Sequence, residues 1–316
     1  MTQLALLALL LLGFHALADN LWTNLHLAGI NPGFGFLAHT ASFQIGESVI
    51  PYEAGDSYAR AIVVGLLNTV KIAIAGCVLA TVLGVALGVA RLSSNPLLSG
   101  SVQAYVELVR NTPLLLQLFF WSATLGALPG PRQAFAPLPG VLLSNRGIFI
   151  PGLNFEHGAL FWDTPALHGF NITGGWSLSP EFAALLIGLV VNASASIAET
   201  VRGGILSVHH GQWEAGGALG LSRPTVLRRI VLPQALRVIV PVMTSSYLSL
   251  AKNSSLAVAI GFPDLVSVLN TTANSTGQAL ETIAIMMAVY LALSLAVSLL
   301  MNWYNRRWAL KGNART

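Results

Sequence analysis

The chain has 316 residues, of which 54% are apolar and only 9% are charged. Its mean hydropathy is +0.69. Because soluble domains carry about 25% charged residues, this composition excludes an ordinary soluble domain and predicts a polytopic membrane protein. The net charge is +4, but the basic residues border apolar runs, so no nucleic-acid partner is expected. The single cysteine, Cys77, cannot form an intrachain disulfide.

Six apolar segments are predicted to span a membrane. In chain order they are residues 2–22, 61–90, 104–128, 181–206, 234–262 and 279–303. The first segment has an alternative, because Ala16-Leu17-Ala18 before Asp19 resembles the cleavage site of a signal peptide. No Lys or Arg precedes this apolar run, however, which favours a retained helix.

The segments between the spans are predicted to be loops. Residues 92–103 are rich in Ser, Asn, Gly and Pro, which indicates a short turn. Residues 129–179 are rich in Pro, Gly, Trp and Phe but contain no run long enough to cross, so a folded extramembrane loop is expected. Residues 263–278 are polar and rich in Asn, Thr and Ser. Pro241 lies inside the fifth span and predicts a kink there.

The distribution of Lys and Arg predicts how the chain is oriented. If the amino terminus is inside, eleven of the 16 basic residues fall in the inner segments and three in the outer segments. The inner segments are residues 91–110, 202–237 and 306–316. Lys71 and Lys252 lie within spans. Since cytoplasmic loops are enriched in Lys and Arg, the carboxyl terminus is expected in the cytoplasm and residues 129–179 outside.

Residues 211–233 form a polar stretch between apolar runs, and they predict a helix, a stop and a second helix. Glu214 would lie in a first turn, where the helix dipole favours a carboxylate. Gly220 can adopt the left-handed conformation that ends a helix, and Ser222 can cap the helix that follows. We expect Pro233 to interrupt that second helix, because proline lacks a backbone N–H.

A run of four polar residues in the fifth span is the best candidate for a substrate site. An ionisable group at membrane depth is costly and is therefore a functional-site hypothesis, and four successive polar side chains cannot all face lipid. An ammonium beside amide and hydroxyl groups would suit a small zwitterion; packing between helices is the alternative. The candidate residues are Lys252, Asn253, Ser254 and Ser255, with Arg110 and Gln117 as weaker candidates.

Two other sets of charges have a structural explanation. Glu107 and Arg110 are three residues apart, and so are Glu199 and Arg202. Because residues at this spacing are neighbours on a helix surface, each set is expected to form an ion pair near the inner interface.

Enzymatic signatures are missing from the sequence. It contains no His-Glu-x-x-His pattern, no Gly-x-Ser-x-Gly pattern and no Gly-rich phosphate loop. His209-His210 has no carboxylate or Cys set that could complete a metal site. The chain is therefore expected to be non-catalytic, and any energy from ATP must come from another chain. An ion-coupled carrier or channel for small polar solutes is the alternative function.

The polar stretch resembles the cytoplasmic signature of ATP-binding-cassette (ABC) importer permeases. That signature is Glu-Ala-Ala, three residues, Gly, nine residues, Ile, one residue and Leu-Pro. Every spacing is kept here, and the one departure is Gly216 in place of the second Ala. In that family the loop is a coupling helix, which docks into a groove of the ATPase subunit. The resemblance implies a coupling site formed by Glu214, Ala215, Gly216, Gly220, Ile230, Leu232 and Pro233.

Further segments resemble the polar amino-acid subfamily of these permeases. They are residues 105–117, 196–205, 252–256 and 261–265. The long outer insert over residues 129–180, with Asn145-Arg146-Gly147, is similar to the branch that takes up general L-amino acids, and so is the extra amino-terminal helix. The resemblance therefore implies uptake of L-amino acids, with polar residues and broad specificity expected.

The same resemblance implies the fold and the domain organisation. The expected fold is an all-α polytopic membrane protein of the type I ABC importer transmembrane fold, with about six transmembrane helices and a cytoplasmic coupling helix. The expected organisation is an extra transmembrane helix or signal peptide over residues 1–22, a periplasmic loop over 23–59, a permease transmembrane domain over 60–306 that includes the insert and a coupling loop over 207–233, and a cytoplasmic tail over 307–316.

Location and partners are also implied by the resemblance. The chain is expected in the bacterial inner membrane, with cytoplasmic ATPase subunits that bind ATP and Mg, so that this chain itself holds no cofactor. A second permease chain is expected to form a heterodimer with it, with a homodimer as the alternative. A periplasmic amino-acid-binding protein would deliver the substrate.

Overall fold

The computed structural model of the chain describes residues 2–27, 33–156 and 159–308. Residues 309–316 of the predicted cytoplasmic tail lie outside the described residues. The helices in the described part are α1 (Thr2–Leu27), α2 (Tyr58–Ala90), α3 (Pro96–Asn111), α4 (Leu114–Gly126), α5 (Pro180–Leu206), α6 (Gly211–Ala218), α7 (Arg223–Val226), α8 (Leu232–Asn253), α9 (Leu265–Thr276) and α10 (Ala279–Trp308).

Not every one of the six predicted spans is a single helix long enough to cross a membrane in the described residues. Within the described residues, α2, α5 and Ala279–Asn305 of α10 are each long and apolar enough to cross a membrane. The helix Arg223–Ile260 and α9 meet at 52° and add a fourth crossing if they form one broken span. Ala5–Asn20 of α1 and the whole of α4 are apolar but shorter.

The predicted span over residues 104–128 is wrong as a single helix. The chain forms α3 and α4 instead, with a break at Thr112 and Pro113. Proline has no N–H and disfavours helical conformation in the preceding residue, and Thr112 is extended with φ −100° and ψ 128°. The turn predicted over 92–103 is also too long, because Asn95 accepts hydrogen bonds from two backbone N–H groups and starts α3 at Pro96.

The polar segment over residues 263–278 contains helix α9, which the sequence analysis treated as a loop. Asp264 begins the helix, because its carboxylate oxygen Oδ1 accepts a hydrogen bond from Ser267 N at 2.9 Å. Gly277, with φ +74°, ends it. One face of α9 packs against α2, and Leu265 and Leu269 are fully buried there. A short polar helix of this kind gives a weak hydropathy signal, so its capping residues were the better indication.

The insert over residues 129–180 is built from β-strands, whereas the sequence predicted only a folded extramembrane loop. Its strands are β1 (Phe135–Leu138), β2 (Val141–Ser144), β3 (Gly147–Ile150), β4 (Gly152–Glu156), β5 (Ala159–Asp163), β6 (Ala166–His168), β7 (Asn171–Thr173) and β8 (Trp176–Leu178). An antiparallel sheet has the order β1-β2-β3-β8, and β4-β5 and β6-β7 are separate hairpins. Because β8 leads directly into α5, the sheet is anchored to the amino-terminal end of that helix.

The packing of α2 along α5 forms the centre of the helical part. Small residues allow the two backbones to approach closely. A Cβ atom on Gly84 would lie 2.6 Å from the Cβ of Ile197, and one on Gly88 would lie 2.7 Å from the backbone oxygen of Ala198. Because α5 runs from the β-stranded insert at Pro180 towards the start of the 211–233 stretch, it links these two elements at opposite ends of the helix.

Candidate functional site

Residues 211–233, called the hairpin below, form the predicted helix, stop and second helix. Helix α6 carries Glu214 in its first turn, as predicted. Gly220 has φ +71°, which confirms the predicted left-handed stop. Its N–H donates to Gly217 O at 2.9 Å, and Leu221 N donates to Gly216 O at 3.1 Å. These two bonds satisfy carbonyl groups at the end of α6 and fix the direction in which the chain leaves it.

The single departure from the family signature has a packing explanation. Gly216 is buried against Val226 of α7, and a Cβ atom at position 216 would lie 2.6 Å from Val226 Cγ2. Valine is branched at Cβ and has little rotamer freedom, so it cannot easily move aside. Gly216 therefore complements Val226, and the pair sets how closely α6 and α7 approach each other.

The outer surface of the hairpin combines charge with exposed apolar groups. Glu214 is exposed, and its Oε1 lies 3.1 Å from His210 Nδ1. Ala215 is also exposed. Leu219 is 77% exposed, although it lies in the middle of a structured turn. Leu219 was not among the residues predicted from the sequence, and its place as an apolar residue directly before the stop glycine was the signal that could have found it. A protruding leucine on a surface that also carries an exposed carboxylate is suited to docking against another protein.

The base of the hairpin differs from the prediction at Pro233. The second helix is not interrupted there, because the chain forms a π-helical turn over Leu227–Val231 just before α8. Leu232 N donates to Leu227 O, five residues back. This wider turn accommodates the missing N–H of Pro233 without a break. Ile230 packs against the buried core on this side of the protein.

Ser222 precedes α7 as predicted, with Pro224 in the first turn, but its side chain does not cap the helix. Its hydroxyl oxygen lies 2.9 Å from Thr225 Oγ1 instead. The start of this helix is therefore fixed by the proline and by Gly220 more than by a capping hydrogen bond.

One of the two predicted ion pairs forms, and it includes a further partner. Glu199 and Arg202 of α5 are paired, with 3.1 Å between Arg202 Nε and Glu199 Oε2. Arg91, at the end of α2, bonds the same carboxylate. Two arginines thus share one carboxylate near the hairpin. Glu107 accepts a hydrogen bond from Gln103 at 2.7 Å, and within the described residues it does not pair with Arg110.

A cavity of about 250 Å³ with several polar side chains in its lining lies between α5 and α8. Of the predicted substrate residues only Asn253 lines it. Its other polar lining residues are Asn192, Ser196, Ser245, Ser246 and Ser249. These serines were missed, although Ser245, Ser249 and Asn253 follow one another at the four-residue spacing of one helix face. The cavity offers amide and hydroxyl groups, which can hydrogen-bond both ends of a zwitterion.

Lys252 and Ser255 face a different space. They line a cavity of about 680 Å³, which is mostly apolar and is walled by residues of α10 such as Met286 and Tyr290. Ser254 is fully buried, and its hydroxyl donates to Ala251 O at 2.7 Å. The structure therefore divides the four-residue run between two cavities and the protein interior, because α8 ends at Asn253 and a 3₁₀ helix begins at Ser254.

The two weaker candidates lie elsewhere. Gln117 is buried in α4, and its amide group donates to Val109 O and Thr112 O, both at 3.0 Å. It thereby bonds carbonyl groups at the end of α3, where the break interrupts the helical hydrogen-bond ladder. Arg110 is exposed on α3. Neither residue lines the cavity between α5 and α8.

Known proteins that are similar to this chain support the interpretation of the hairpin. A family model described as the inner membrane component of binding-protein-dependent transport systems matches residues 80–310. The chain belongs to this family. It is 45% identical to the putative amino-acid ABC transporter permease protein YhdX of Escherichia coli (strain K12), with 93% of this chain and 90% of that protein covered.

Other relatives agree with this assignment. The chain is 39% identical to the general L-amino acid transport system permease protein AapQ of Rhizobium johnstonii (strain DSM 114642 / LMG 32736 / 3841), covering 93% of this chain and 88% of that protein. A solved structure of an amino acid ABC transporter with histidines matches with a TM-score of 0.59 and 25% identity, over 79% of this chain and 95% of that chain. A MetNI methionine ABC transporter in an inward-facing conformation supports the fold alone, with a TM-score of 0.57 and 18% identity over 79% of this chain and 96% of that chain.

Family membership confirms the main expectations from the sequence. The chain is a transport subunit of the inner membrane and an ABC importer permease, and its fold is the type I importer transmembrane fold. Permeases of this kind work with an ATPase, a substrate-binding protein and a second permease. The ion-coupled carrier and the channel are not favoured, since neither requires the hairpin signature.

Proposed function

We propose that this chain is the permease subunit of an ATP-driven importer that carries L-amino acids from the periplasm into the cytoplasm. The observation that carries the proposal is the hairpin, in which the family spacing is combined with a left-handed Gly220 and an exposed Glu214. The named relatives are amino-acid permeases, which supports the substrate class. Broad specificity for polar amino acids follows from the similarity to the general L-amino acid system.

The orientation is part of the same proposal. The hairpin and the carboxyl terminus lie in the cytoplasm, and the β-stranded insert and residues 33–57 lie outside. The support is the excess of Lys and Arg in the inner segments. The chain itself needs no cofactor, because ATP and Mg bind to the partner ATPase. A second, different permease chain completes the translocation path, and a periplasmic amino-acid-binding protein supplies the substrate.

When ATP closes the ATPase, the resulting movement is transmitted to this chain through the hairpin. Glu214, Ala215 and Leu219 face outward and would contact the groove of the ATPase. Gly216, Ile230, Leu232 and Pro233 face inward or lie at the base, where they connect α6 to the buried core.

The cavity between α5 and α8 is the proposed place of the substrate within this chain. Asn253 and the serines of α8 supply hydrogen-bonding groups without a fixed net charge, which fits amino acids with different side chains. Lys252, Ser254, Ser255, Arg110 and Gln117 remain predicted contributors to the substrate path. Their contribution would come from outside this cavity, since none of them lines it.

Reconstitution with the partner chains tests the proposal. The complex is purified in mild detergent through a tag on this chain, and we expect an ATPase subunit and a second permease to copurify. In proteoliposomes with ATP inside and binding protein outside, labelled amino acids should accumulate, and a panel of unlabelled L-amino acids should compete. Uptake that proceeds without ATP, or with an ion gradient alone, would instead support the carrier.

A further inference from the structure

Glu47, in the segment between α1 and α2, contacts two helical elements at the outer end of the molecule. Its Oε1 lies 2.7 Å from Lys71 Nζ of α2. Its Oε2 accepts a hydrogen bond from the hydroxyl of Ser179, the residue that caps α5. The Lys71 ammonium also lies 4.3 Å from the ring centroid of Phe182 in the first turn of α5. One carboxylate thus connects α2 to the start of α5.

The backbone of Glu47 extends this connection to the start of α9. The side-chain nitrogen Nδ2 of Asn68 donates to Glu47 O and to Pro263 O, both at 2.8 Å. Asn68 is fully buried, so its two donated bonds are protected from water. Pro263 lies directly before Asp264, the residue that caps α9. The residues around Glu47 therefore join the outer ends of α2, α5 and α9.

The position of α5 gives these contacts a mechanical consequence. At its inner end α5 leads into the hairpin, and at its outer end it is capped by Ser179. A displacement of the hairpin that moves α5 is passed to the outer ends of α2 and α9 more completely when the three helices are also held together there. A cavity of about 400 Å³ lies beside Glu47, lined also by Gly46, Glu181 and Thr271, so the apolar packing between the helices has a gap here and the polar contacts supplement it.

We propose that Glu47 is a positioning residue for transport. It holds the outer ends of α2, α5 and α9 together, so that motion of the hairpin reaches the outer mouth of the translocation path. The inference rests on the proposed function and on its orientation. Without Glu47 or Lys71, the ATPase still closes and hydrolyses ATP, but fewer of these cycles move an amino acid.

The test is the ratio of ATP hydrolysed to amino acid taken up by the complete complex in proteoliposomes with binding protein. We expect Glu47→Gln and Lys71→Met each to raise this ratio about fivefold, a modest factor because the pair is partly open to water. The charge-reversed double variant, Glu47→Lys with Lys71→Glu, should return the ratio towards that of the wild type. Simple loss of folded complex would lower uptake and hydrolysis together and leave the ratio unchanged.

Asp56→Asn is the matched control. Asp56 lies in the same segment and pairs with Arg60 at 3.2 Å, but the two are one turn apart and join no separate helices, so the ratio should not change. An unchanged ratio in both Glu47→Gln and Lys71→Met, with as much folded complex as in the wild type, would overturn the inference. A wild-type complex that takes up no amino acid with ATP would instead refute the proposed function.

Discussion

Substituting Gly220 with valine should uncouple ATP hydrolysis from transport. Gly220 has φ +71°, and no atom lies within 4 Å of the place where a Cβ would be added. The effect therefore comes from the backbone alone and not from a clash. A residue with a Cβ atom in the left-handed region costs about 2 kcal/mol, which is roughly a 30-fold shift against the observed turn. The direction of α7, and with it the docking surface, would change.

The assay compares three forms of the complex in proteoliposomes with binding protein and ATP. We expect uptake to fall at least tenfold in Gly220→Val, while the chain stays in the membrane and the ATPase keeps its basal hydrolysis. Gly220→Asn is the control, since asparagine tolerates the left-handed conformation, and it should retain most of the uptake. Uptake in Gly220→Val equal to that of the wild type would refute the reasoning.

Three further changes have expected outcomes. Gly216→Ala restores the family signature but places a Cβ 2.6 Å from Val226, so we expect overpacking to cost about 1–3 kcal/mol and the purified complex to melt at a lower temperature. Glu199→Gln leaves two arginines without a carboxylate and should cost about 1–2 kcal/mol by the same measurement. Asn253→Ala removes hydrogen-bonding groups from the cavity and should raise the KM of uptake roughly threefold to tenfold.

Each of these predictions has a control. Adding Val226→Ala to Gly216→Ala should recover much of the lost melting temperature, and no recovery would show that the close approach is not the cause. Glu107→Gln, whose only described partner is a glutamine, should leave melting unchanged, and a loss equal to that of Glu199→Gln would contradict the shared-carboxylate explanation. Lys252→Met should change the KM less than Asn253→Ala, and the reverse order would place the substrate beside Lys252.

The sequence by itself determined the features that depend on neighbouring residues. The long apolar runs predicted the bounds of α2 and α5 to within a few residues. The length of an apolar run and the polar residues at its ends define a span without reference to distant parts of the chain. Gly220 was assigned its left-handed conformation because a glycine after a short helix commonly ends it. The hairpin signature alone indicated the family, since its spacing does not depend on distant contacts.

Only the tertiary structure decided which distant side chains meet. It paired Glu199 with Arg91 as well as with its neighbour on α5, placed Glu47 against Lys71, and separated Asn253 from Lys252 into different cavities. The physical reason is that helix spacing fixes which residues share a face, but contacts between helices depend on how the helices pack against one another. Whether a run of polar residues forms a binding site or a packing surface is therefore decided by the helices that pack around it.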